Sequence, residues 1–154
     1  MEASVGDNGT TASRAIIDTV ARYFYFSSLN EHISFSASLK ALTELKHNDW
    51  IEPRYRARWV QVLSKWKPKL KSLKGRDWTH NPNENGFDPP KDFDEQVWAN
   101  FLQTGEATEV EAVLFSKILN FTEDEIAEGL GVTSGTVRYR VGRGLRHLGG
   151  YLES

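Results

Sequence analysis

Four arginines, Arg138, Arg140, Arg143 and Arg146, follow one another closely, and no acid lies between Gly129 and Leu152. A guanidinium carries a planar fork of donors that meets a phosphate, or the O6/N7 edge of guanine, through two parallel hydrogen bonds. Ser134, Gly135, Thr136 and Tyr139 share the same stretch. On a helix, Ser134, Thr136, Arg138 and Tyr139 fall in or near the first turns, where a helix laid in the major groove reaches base edges. Arg140, Arg143 and Arg146 recur every three residues and form a slowly rotating row that reaches the backbone. A rotation of one position would hand the base-reading role of Arg138 to Tyr139 or Arg140.

Other chemistries find no support. Cysteine is absent, which removes disulfides, thiolate nucleophiles and cysteine-held zinc, and fits a reducing cytoplasm. His32, His47, His80 and His147 have no ligand spacing. Beside Arg146, His147 suits a phosphate better than a metal. There is no Gly-rich phosphate loop, no Gly-x-Ser-x-Gly and no nucleophile beside a base. Glu123, Asp124 and Glu125 resemble an acid/base cluster, but helix capping and the helix dipole account for them. The expectation is a non-enzyme that needs no metal and no cofactor.

The arginines need a helix to present them. Thr122 with Glu125 three residues later is a capping box, so a helix starts there. Ile126, Ala127 and Leu130 form its inner face. Gly131 falls where the chain must reverse with positive φ. Thr133 or Ser134 caps the next helix. There the spacing of Val137, Val141, Leu145 and Leu148 predicts a buried stripe, and Thr136, Tyr139 and the arginines point elsewhere. A short helix with an acidic start, a tight turn and a basic helix make a helix-turn-helix. Gly142 and Gly144 weaken the second helix by about 1 kcal/mol each relative to Ala.

The stretch Glu123 to Leu148 resembles region four of bacterial sigma factors, closest to the extracytoplasmic-function group. Those end in Glu-Ile-Ala-x-x-Leu-Gly-Val-Ser-x-Gly-Thr-Val-x-x-Arg-Leu-x-Arg-Ala-x-x-x-Leu. Here Thr133 stands for the usual Ser, Val141 for Leu and Gly144 for Ala. Two helical segments before it, Phe93–Leu102 and Glu106–Leu119, suit the same four-helix domain, so the resemblance covers residues 93–150. It implies a transcription initiation factor whose partners are promoter DNA, the bacterial RNA polymerase core and an anti-sigma factor. The recognition helix would read the minus-35 element. The competing reading is a regulator that binds polymerase or another sigma factor through this domain without reading DNA.

The first half is less explicit. Helical spacing predicts one apolar helix face through Ile16, Ile17, Val20, Ala21, Phe24 and Tyr25, another through Phe35, Leu39, Leu42 and Leu45, and a third through Trp59, Val62, Leu63 and Trp66 after Pro53. Tyr55-Arg56-Ala57-Arg58-Trp59 is loosely similar to the Phe-Arg-Ala-Trp segment of sigma region two. The acidic clamp-binding signature of that region is missing, and Ser36-Ala37-Ser38-Leu39-Lys40-Ala41-Leu42 takes its place. A degenerate region two and an unrelated helical unit both remain open. Trp50, Tyr55, Trp59, Trp66 and Trp78 interleave with basic residues, a pattern suited to single-stranded nucleic acid. The tryptophan spacing fits a core stripe better, with the lysines left for phosphates.

Together these give an all-α protein of two small helical domains: a disordered tail over 1–10, a helical domain over 11–76, a linker over 77–91 rich in Pro, Asn and Gly, and a four-helix domain with the helix-turn-helix over 92–154. The net charge of −2 hides three blocks. Lys40–Arg76 holds eleven basic and three acidic residues, Asp92–Glu128 ten acidic and one basic, and the last block the four arginines. Such asymmetry predicts partners for each block. No apolar run is long enough for a membrane span, and residues 1–7 lack the pattern of a signal peptide.

Overall fold

Several helix ends have a local cause in the sequence. The computed structural model describes the backbone of residues 2–45, 56–72 and 94–153, and the side chains of 14–45, 56–70 and 94–149. Helix α1 runs Glu2–Ser28 and α2 Glu31–Glu44. No proline interrupts α1, and its first turns take in residues 2–10, the expected tail. Asn30 starts α2 by accepting the Ile33 N–H at 3.0 Å. Helix α3 (Arg56–Trp66) tightens into a 3-10 turn over Lys67–Ser72, where Pro68 has no N–H to give. Helix α4 (Glu95–Thr104) starts from Asp94, whose carboxylate accepts from Gln96 and Val97 N–H. Helix α5 (Ala107–Val113) widens into one π turn, Leu114–Ile118, closed by Leu119 N–H to the Leu114 carbonyl at 3.0 Å. Asn120 then takes the left-handed conformation, φ +59°, that ends this run. Helices α6 (Glu123–Leu130) and α7 (Ser134–Glu153) complete the chain. The all-α expectation holds, with no strand among the described residues.

The linker expected at 77–91 lies outside the described residues. The helices on its two sides share one core. Tyr23 of α1 stacks on Phe115 of the π turn with ring centroids 4.9 Å apart. Trp98 of α4 donates its indole N–H to the Phe26 carbonyl at 2.7 Å. Trp59 of α3 meets Phe121 edge-on. The acidic block supplies carboxylates to this seam and the first half supplies donors. Glu111 accepts from Tyr23 at 3.1 Å and from Ser64 at 3.0 Å. Glu95 accepts from Tyr25 at 3.3 Å, and Glu125 pairs with Arg56 at 3.0 Å. Burial, and then the Glu111 charge, push the Tyr23 phenol well above its ordinary range, so it stays a donor. Burial pulls the Lys67 ammonium down, and Glu111 opposes that.

Three faces differ from the sequence expectation, and on α1 Ile17 of the expected apolar face turns outward, 46% exposed, beside buried Ile16 and Val20. On α2 the expected inner residues Phe35 and Leu39 are 65% and 53% exposed, and Ser34, Ala37, Ser38 and Ala41 face the core. Small residues let α2 lie close to α1, and Ser34 Oγ donates to the Ala21 carbonyl at 3.0 Å. On α7 the buried row is Val137, Val141, Gly144 and half-buried Leu148, and Leu145 turns outward. At about 100° per residue, position 144 falls within about 20° of Val137 and position 145 about 80° away.

Gly144 is therefore a packing residue. A Cβ there would lie 2.5 Å from Val113 Cγ2 and 3.1 Å from the Glu109 carbonyl oxygen, whereas one at Gly142 would meet nothing within 4 Å. The two glycines should respond with opposite signs. Gly142→Ala is expected to raise stability by up to about 1 kcal/mol through helix propensity. In Gly144→Ala, overpacking of about 1–3 kcal/mol outweighs that gain, because the β-branched Val113 cannot swing aside. Urea midpoints of the two variants check this, and a shift of the same sign in both would contradict the α5–α7 approach.

Candidate nucleic-acid interface

The turn between α6 and α7 is built as the sequence requires. Thr122 Oγ1 accepts the Glu125 N–H at 3.1 Å, and the Glu125 carboxylate accepts the Thr122 N–H at 2.8 Å, a complete capping box. Gly131 ends α6 with φ +71°, and Val132 N–H returns to the Ala127 carbonyl at 3.0 Å. A Cβ on Gly131 would meet nothing within 4 Å, so the conformation and not crowding calls for glycine. Of the two candidate caps for α7, Thr133 does the work: its Oγ1 accepts the Thr136 N–H at 3.1 Å. Buried Val137 and Val141 then fix the rotation of α7 against α5 and α6.

That rotation decides where the candidate residues point. Gly135, Arg138, Tyr139, Arg143 and Arg146 are exposed, and Ser134, Thr136 and Arg140 are half-buried. The Thr136 hydroxyl lies 2.9 Å from the Thr133 hydroxyl, so it is held within the cap. Tyr139 is 60% exposed. Arg140 and Arg146 form no ion pair with the described residues.

Two arginines have carboxylate partners that the sequence reading missed. Arg138 sets its fork against Glu123, with Nη2 to Oε2 at 3.0 Å and Nε to Oε1 at 3.4 Å. This contact holds the guanidinium above its ordinary range. Arg143 donates to the Tyr139 hydroxyl at 3.1 Å, lies over that ring at 5.7 Å, and reaches Glu109 at 3.6 Å. Glu109 is a buried carboxylate. Burial raises its pKa, then the neighbouring Glu106, while Arg143 and His147 lower it. The Glu123 contact could have been inferred, because a helix-turn-helix brings the first turn of its first helix beside its second helix. Glu109 is on another helix, and no spacing rule points to it. His147 packs edge-on against Phe101 at 5.8 Å. Among the described residues no three His, Asp or Glu side chains gather as a metal site.

Residues 107–148 match the family model described as sigma-70, region 4. The match covers less than half of the chain and spans α5, the π turn, α6 and most of α7, with all eight candidate residues inside it. No curated protein and no solved structure gives a significant match.

Proposed function

We propose that this chain is a sigma-like transcription initiation factor of the cytoplasm, which reads promoter DNA with α7 and recruits the bacterial RNA polymerase core. The carrying observation is a capped helix, a left-handed glycine turn and a basic helix with exposed arginines, all inside the segment similar to sigma-70 region 4. Ser134, Gly135, Thr136, Arg138 and Tyr139 lie on the first turns, at base edges. Arg140, Arg143 and Arg146 lie further along, at the backbone. An anti-sigma factor is the partner that would regulate it. No helix among the described residues is long and apolar enough to cross a membrane.

Selection of bound duplexes from random DNA, with and without polymerase, followed by a salt series, tests the reading. Affinity should fall steeply with salt as counterions are released. Arg138→Ala should relax preference at one or two base pairs. Arg143→Ala should weaken all duplexes alike and lower the salt slope by about 1. Alanine at Arg138, Arg140 and Arg143 together should remove most of the binding, and unchanged affinity in that variant would end the DNA-reading proposal. The pairing of Arg138 and Arg143 with the protein's own carboxylates supports the second reading, a regulator that grips polymerase or another sigma factor without DNA. On that reading the triple variant keeps its polymerase affinity and the wild type shows no duplex preference.

A further inference from the structure

Glu123 occupies the fork that Arg138 would offer to DNA. Both oxygens of the carboxylate face the Nε/Nη2 edge of the guanidinium, at 3.4 and 3.0 Å. That edge is one of the two on a guanidinium that can take two phosphate oxygens or the two acceptors of guanine, and a carboxylate there also lowers the net positive charge that the other edge presents. The pair is open to solvent, with the Arg138 and Glu123 side chains 70% and 42% exposed. An ion pair so exposed adds little to stability, and an incoming ligand can replace it at small cost. The fold has other means of fixing α7: the Thr133 cap, buried Val137 and buried Val141.

We propose that Glu123 is a specificity-determining residue: it holds Arg138 away from phosphates in the unbound protein and yields it to a base edge at a matching site. This rests on the DNA-reading proposal above and deepens it.

The selectivity follows from charge. A phosphate that takes the fork brings its negative charge against the displaced Glu123 carboxylate, with Asp124 and Glu125 in the same helical turn. A guanine edge offers two acceptors without a net charge, and the displaced carboxylate can turn to solvent. The exchange therefore disfavours non-specific contacts more than specific ones. Asp124 provides an internal comparison. It has the same charge in the same turn and acts on Arg138 only through space, without a hydrogen bond.

The test compares Glu123→Gln and Asp124→Asn in the full chain, on a duplex enriched by selection and on the same duplex scrambled. Glu123→Gln should bind the scrambled duplex roughly two- to fivefold tighter at low salt, the range of an exposed ion pair. Its salt slope should steepen by about 1 as Arg138 becomes available to a phosphate. The ratio of selected to scrambled affinity should fall. Asp124→Asn should move both duplexes by the same factor and leave the ratio intact. In an Arg138→Ala background, Glu123→Gln should behave as Asp124→Asn does. If the two acid variants act alike while Arg138→Ala still relaxes base preference, the role of Glu123 is overturned and DNA reading stands. If the wild type shows no salt-dependent duplex binding, DNA reading itself fails, and the role of Glu123 falls with it.

Discussion

Val137→Asp is expected to abolish the folded helix-turn-helix and to lower the unfolding midpoint of the whole chain. Val137 is fully buried, on the face that α7 turns to α5 and α6. A carboxylate placed there either stays ionised without a partner or takes up a proton in an apolar site. Each outcome belongs to the severe class of substitutions, on the order of 4 kcal/mol or more. A domain of this size has a total stability of roughly 5–15 kcal/mol, so much of the margin disappears. Val137→Ala removes two methyl groups without adding charge and should cost clearly less. Chemical unfolding followed by helical circular dichroism separates the two. An aspartate variant with the wild-type midpoint would show that α7 does not present this face to the core. Because the seam residues Tyr23, Trp98 and Phe115 belong to the same core, the loss should reach α1 and not stop at the C-terminal helices.

The helix-turn-helix was the most legible part of the sequence because its determinants are local. The capping pair Thr122 and Glu125, the reversal at Gly131 and the inward Ile126, Ala127 and Val137 each depend on neighbours within a few residues, and all stand as expected. Where partners lie far along the chain, the spacing misled. The spacing of Phe35 and Leu39 predicts an inner face, because large apolar side chains usually lie inward, but a close α1–α2 contact needs small ones, and Ser34, Ala37, Ser38 and Ala41 provide them. The apolar type of Leu145 predicts a core position, yet the phase of α7 places Gly144 there. A glycine that looks like a helix weakness by propensity is here a close-contact site, which only the position of Val113 reveals.

The charge blocks also acquire a structural meaning. Their asymmetry pointed to outside partners, but part of it is met within the fold. Arg56 of the basic block pairs with Glu125 of the acidic block. Glu111 and Glu95 accept hydrogen bonds from the first half. Arg138 and Arg143 of the last block are matched with Glu123 and Glu109. On the proposed DNA-reading function, the electrostatic face left to a nucleic acid is narrower than the count of arginines suggests. Among the described residues Arg140 and Arg146 form no ion pair, whereas Arg138 is held by Glu123.

Gly129→Val should be the sharpest test of whether the two halves share one core. A Cβ at Gly129 would lie 2.5 Å from the Ala57 carbonyl oxygen and 2.5 Å from Val60 Cβ. Neither atom can rotate away, since one is backbone and the other is fixed to it. Helices α3 and α6 would have to move apart, loosening the Arg56–Glu125 pair and the Arg56 guanidinium that sits 4.4 Å over the Phe121 ring. Overpacking of a tight contact costs about 1–3 kcal/mol and occasionally more, and valine brings two methyl groups beyond the offending Cβ. If α6 belonged to a domain independent of α3, Gly129 would lie on its surface, and valine would be neutral or would gain a few tenths of a kcal/mol from helix propensity. The two arrangements therefore predict opposite signs. We expect a lower midpoint and faster amide exchange in both α3 and α6, read by hydrogen–deuterium exchange on the full chain. The exposed side of α7 is not in this contact, so salt-dependent duplex binding below the unfolding transition should survive. A Gly129→Val protein as stable as the wild type would show that α3 and α6 do not pack this closely.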